Sequence, residues 1–174
     1  MKQSYKRGLE TIYDLFIHDL RSILFLEQRL EDELGDIAED VSEEQLREEM
    51  INHRDQTSDH AQRLQQIFEE IDETPQIHNR AYFRGIFQEF NQLKNNTQES
   101  EIVDITAFNT AIMIERIEIT IYEGLLRLEE DLDIGDETRN LLEKNRKEEE
   151  QALKRFRGMS ENSWLNQMKK NLMS

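Results

Sequence analysis

Glu27, His53, His60, Glu115, Glu118 and Glu149 are acids and histidines set into rows of residues that are otherwise apolar. An isolated ionised carboxylate is costly to bury, so an interior acid is expected to meet a cation, carry a proton or bind a metal. Carboxylate oxygens mixed with imidazole nitrogens suit iron or manganese, and zinc is also compatible. The chain has no cysteine, which excludes thiolate metal sites, disulfides and thiol nucleophiles. Glu27, His60, Glu115, Glu118 and Glu149 are the candidate ligands. Gln56, His53 and Tyr122 are the candidate supporting residues around them. His60 also fits a simpler role, as a core histidine hydrogen-bonded to one of these acids, and Tyr122 fits plain core packing.

Side chains so far apart in sequence meet only if each lies on the buried seam of its own helix. Over residues 9–39 the row Phe16, Leu20, Ile23, Glu27, Leu30, Leu34, Ile37 alternates steps of four and three, the repeat of a helix packed lengthwise on its neighbours. Ser42 with Gln45 has the capping-box pattern and predicts the start of a second helix. Its seam is Leu46, Met50, His53, Thr57, His60, Leu64, Ile67 and Ile71, polar at three consecutive positions, and Thr74–Pro75 ends it. A shorter crossover helix follows around Tyr82, Phe83, Ile86, Phe87, Phe90 and Leu93. The third long helix, about Glu101 to Leu132, carries Ile105, Phe108, Ile112, Glu115, Ile119, Tyr122 and Leu126, with Glu118 on the same face. After a break at Ile134, Gly135 and Asp136, the fourth carries Leu142, Asn145, Glu149, Ala152 and Phe156, and Gly158 is expected to close it.

Four long amphipathic helices with one long crossover predict an all-α four-helix bundle. An acid from each of two helices, with further acid and histidine donors from the other two, is a bundle-core solution for holding two metal ions. Two iron or manganese ions are therefore the expected cofactors. The rival is a metal-free structural or interaction bundle.

The remaining composition narrows the partners. Acidic residues number 38 against 22 basic ones, giving a formal charge of −16, which argues against nucleic acid because phosphate would be repelled. No stretch approaches the length of a membrane span, and Met1 to Glu10 is polar, so a cytoplasmic protein is expected. His18, His78 and the run Glu148 to Glu150, apart from Glu149, suggest no role.

The segments TIYDLFIHDL, LEQRL around Glu27, HRDQTSDHAQRL with His53, Thr57 and His60, IERIEITIYEGL with Glu115, Glu118 and Tyr122, and LLEKNRKEEEQALKRF with Glu149 occur in an order that resembles the YciE/YciF-like stress proteins. That resemblance, from Leu9 to Met159, implies a ferritin-like bundle, a role in metal or oxidative stress and a homodimer. The family pattern has a glutamate where this chain has Gln56, a histidine at Arg116 and an acid at Leu153, and Arg116 could instead pair with Glu115 or Glu149. The expected organisation is a bundle over residues 1–159 and an amphipathic extension over 160–174. The extension's stripe of Trp164 or Leu165, Met168 and Leu172, with Lys169 and Lys170, suggests docking on the bundle, on a second subunit or on another protein.

Overall fold

The computed structural model describes residues 9–76 and 81–161, with side chains through 159. The stripe of the C-terminal extension and His78 lie outside the described residues. These form five helices: α1 (Ile12–Asp40), α2 (Glu44–Glu70), α3 (Ala81–Asn95), α4 (Ser100–Leu132) and α5 (Asp136–Glu161).

Local chemistry sets the helix ends. Thr11 caps α1: its hydroxyl accepts from the Asp14 amide, while the Asp14 carboxylate accepts from the Thr11 amide at 2.9 Å. The predicted Ser42–Gln45 box does not form. Ser42 donates its amide (2.7 Å) and hydroxyl (2.6 Å) to the buried Asp104 of α4, and Glu43 caps α2 by accepting from the Leu46 amide. A charge-assisted tertiary bond outcompetes the local cap here. At the other corner Asp133 is left-handed (φ 51°) and Gly135 has φ 146°, so the chain reverses tightly into α5. Gly158 does not close α5, which continues to Glu161. A lone helical glycine costs only about 1 kcal/mol relative to alanine.

The short α1–α2 and α4–α5 links make two antiparallel hairpins. They pack as a ring in which α1 touches α2 and α4, and α5 touches α2 and α4. α3 lies on the outside of α4 and buries Phe83, Phe87 and Phe90. Its inner residues meet Leu26 of α1 and Ile114 and Ile117 of α4, and Lys94 ties it to Asp40 at 2.6 Å.

The predicted rows of α1 and α5 are buried throughout, and that of α2 is buried from Leu46 to Ile67. The α4 row is rotated from expectation. Phe108, Glu115 and Tyr122 are buried, but Ile105, Ile112, Ile119 and Leu126 are only half-buried, and the inner places go to Asp104, Ala111, Glu118 and Leu125. Because α1, α3 and α5 all pack on α4, apolar residues ring this helix and the pattern alone leaves its phase undetermined. The rotation brings Glu118 fully inside.

Candidate metal centre

Midway along the bundle the apolar layers give way to one polar layer supplied by all four long helices. Glu27 comes from α1, His53 and His60 from α2, Glu115 and Glu118 from α4, and Glu149 from α5, and none is more than 1% exposed. The i to i+7 spacing of the histidines and the i to i+3 spacing of the α4 acids place each pair on one face.

The donor atoms fall into two overlapping groups. One ligand atom from each of His53, Glu115, Glu118 and Glu149 lies within 4.8 Å of the others, as does one from each of Glu27, His60 and Glu149. Glu149 stands between them, with Oε1 2.7 Å from His60 Nδ1 and Oε2 3.7 Å from His53 Nε2. His53 Nε2 is 2.9 Å from Glu115 Oε1, and His60 Nδ1 is 3.5 Å from Glu27 Oε2. Despite these approaches, both oxygens of Glu115, Glu118 and Glu149, Oε2 of Glu27, both nitrogens of His53 and Nδ1 of His60 make no hydrogen bond of proper alignment. Such unpaired buried atoms are uncommon in folded proteins.

Electrostatics follow from that crowding. Burial first, then the neighbouring charges of Glu149, Glu27 and Glu115, push Glu118 well above the usual carboxylate range. Burial lifts Glu115 to about 8 against the pull of His53, and burial also raises Glu27. Glu149 goes the other way: burial disfavours its charge, but His60 and His53 hold it below the ordinary range. For the histidines burial opposes protonation and the acids overcome it, taking His53 to about 9 and His60 to about 12. Without other cations, protons balance this layer.

The five predicted ligands therefore come together, and the structure adds His53, which stands among the donors and not behind them. Its place on the His60 row, two turns away, was the available signal. Tyr122 is both core and support: its buried hydroxyl donates to Glu27 Oε1 and accepts from Asn145 Nδ2 at 2.9 Å. Gln56 is half-buried, its oxygen accepting from Arg155 at 2.8 Å. Arg116 is exposed, so it pairs with neither Glu115 nor Glu149. It lines an outer groove of α4 with Tyr82, Ile112, Met113 and Ile117. Glu148 and Arg63 are unassigned from sequence: Glu148 contacts His60, and Arg63 contacts Glu148.

A family profile described as "Domain of unknown function (DUF892)" matches residues 11–169. The chain belongs to this family. It is the YciE/YciF-like group that the sequence motifs resemble, and the match runs past Met159, where the motif resemblance ended. Protein YciF of Escherichia coli (strain K12) is 28% identical over 126 residues, covering 72% of this chain and 76% of that protein. Two solved structures share the bundle at 25% identity over 88% of this chain. YcfI from Rhodopseudomonas palustris superimposes with a TM-score of 0.83 over 97% of its own chain, and the E. coli stress protein YciF with 0.82 over 96%. Membership of the YciF-like family fixes the architecture around the polar layer. Among the described residues, no helix is long and apolar enough to cross a membrane.

Proposed function

We propose that this YciF-like bundle binds two transition-metal ions, iron or manganese, in its central layer, one in each donor group, with Glu149 shared. The observation that carries this reading is the convergence of buried, unpaired oxygens and nitrogens on two adjoining points. Structural polar networks pair their atoms with one another, whereas ligand sets leave lone pairs aimed at a common position. Charge fits as well, because the carboxylates Glu27, Glu115, Glu118 and Glu149 would balance two dications without any contribution from Gln56. Bound ions would supply redox chemistry toward peroxide or oxygen, in keeping with a metal or oxidative-stress role and with a relative described as a stress protein. The chain's residues would bind the ions and wall them from bulk water with the apolar layers on either side.

The test is to strip the protein with chelator, reload it anaerobically with Fe(II) or Mn(II), and count metal by elemental analysis. Two ions per chain are expected, with a higher melting temperature. A site selective for the folded state adds about 4 kcal/mol per ion at free metal 1,000 times Kd, and each kcal/mol is worth roughly 2–4 °C for a chain of this size. Sub-stoichiometric metal and no thermal response to chelator would instead favour the structural bundle. That second reading rests on His60 and His53, which lie close enough to the acids for protons alone to balance the layer. A homodimer accompanies the leading reading, supported by the apolar groove on α4, and light scattering at two concentrations would test it.

A further inference from the structure

His60 presents its two nitrogens to opposite surroundings. Nδ1 faces Glu149 and Glu27 inside the layer, while Nε2 lies 3.0 Å from Glu148 Oε2, a carboxylate 24% exposed at the α2–α5 boundary. Glu148 is in turn held in place. The same oxygen accepts from Arg63 Nη1 at 2.7 Å, and Arg63 Nη1 also donates to Asn145 Oδ1 at 2.5 Å. Asn145 closes the circuit by donating to the His60 carbonyl at 3.3 Å and to the Tyr122 hydroxyl, which itself donates to Glu27. Every link runs between α2, α5, α4 and α1, so the ring and carboxylate are fixed relative to one another.

An ionised carboxylate only accepts, so its imidazole partner must carry hydrogen on Nε2, which leaves Nδ1, once a metal has displaced its proton, as the atom with a lone pair to offer. Resting on the two-metal reading above, we propose that Glu148, anchored by Arg63, is a positioning residue that orients His60 and selects Nδ1 for the ion held with Glu27 and Glu149. Carboxylates behind metal-binding histidines fix tautomer and ring angle, and their loss costs about 10–100-fold in affinity. His53 has no such support, since its Nδ1 is buried without a hydrogen bond. The effect is therefore confined to one of the two ions.

Calorimetric titration of chelator-stripped full-length protein with Co(II) tests this, with the visible spectrum of the cobalt-loaded form reporting ligand geometry. Wild type should take two equivalents. Glu148→Ala should weaken one of them by about 10–100-fold and alter the spectrum, leaving the other equivalent unchanged. Glu148→Gln, which keeps an oxygen acceptor, should recover most of that loss, and Arg63→Ala should fall between. Because Glu148 and Arg63 lie at the periphery of the layer, circular dichroism of the stripped variants should match wild type. Two unchanged equivalents in Glu148→Ala would overturn the assignment, as would equal weakening of both. Failure of wild type to bind any Co(II) would fail the two-metal reading itself, and the positioning role with it.

Discussion

The two halves of the polar layer share Glu149 yet are built differently. Around Glu27 and His60 the donors are braced from behind: Tyr122 and Asn145 hold Glu27, and Glu148 with Arg63 holds His60. Around His53, Glu115 and Glu118 the described residues supply no such frame. Both oxygens of each acid and both ring nitrogens are buried without a hydrogen bond, and His53 meets Phe156 edge-on at 6.2 Å between ring centroids. The contrast separates two ways of keeping charge in a core. One half keeps its shape through neutral and charged hydrogen bonds, while the other depends on whatever cation, proton or metal, occupies it.

Removing the shared residue should break both halves at once. Glu149→Ala is expected to lose both metal equivalents, and with them the whole metal-dependent rise in melting temperature, about 8 kcal/mol if each ion contributes about 4. Retention of even one tight equivalent, measured by elemental analysis after desalting, would show that the halves do not share this ligand.

pH should act next most strongly, on the stripped protein. Glu115 at about 8, His53 at about 9 and His60 at about 12 stand above their ordinary values of 4.5, 6.5 and 6.5. The folded state thus binds more protons than the unfolded chain, and the stability these groups contribute is full below the ordinary values and lost as pH rises through the raised ones. Glu149 and Glu148 are shifted downward and titrate on the acid side, outside this window. Between pH 7 and 9 the stripped protein should therefore lose up to about 1.4 kcal/mol per pH unit for each titrating group. Metal binding, which displaces those protons, should tighten over the same interval. A melting temperature for the stripped protein that is flat or rising from pH 7 to 9 would contradict the picture of a proton-balanced layer.

The unbraced half gives a variant of opposite sign. Glu118→Leu replaces a buried, unpaired carboxyl by an apolar group of similar bulk, and should stabilise the stripped protein by about 1–3 kcal/mol while costing it an ion. Chemical denaturation with chelator present checks this, and destabilisation would mean that Glu118 has a partner in solution. The smallest effect belongs to the braced half. Tyr122→Phe keeps the ring and removes one hydrogen bond, so the stripped protein should lose about 1 kcal/mol, and the ion at Glu27 alone should bind less tightly.

Much of this site was legible in the sequence because the predicted rows of three of the four long helices are the ones that face inward. On α1, α2 and α5 a polar residue within that row had to point inward, which is how Glu27, His60 and Glu149 could be named from spacing alone. α4 is apolar on several sides, so its expected seam ran through Ile105, Ile112 and Ile119, and Glu118 was found through its relation to Glu115. His53 lay on the correct seam, but its rank among donors depended on how far α2 is offset along Glu115. Gln56 and Arg116 show the converse, since a motif column assigned them importance while the packing sends one to Arg155 and the other to solvent.

The sequence by itself determined the helices, their order, the inward rows of α1, α2 and α5 and the concentration of acid and imidazole at one level, because helical periodicity and the cost of burying charge act within each segment. Tertiary structure alone decided the rotation of α4, the division of the donors into two groups about Glu149, and the bracing of His60 by Glu148, Arg63 and Asn145. Those depend on the axial offset and rotation of one helix against another. Both are set by side-chain packing between segments distant in the chain, which no spacing within a helix encodes.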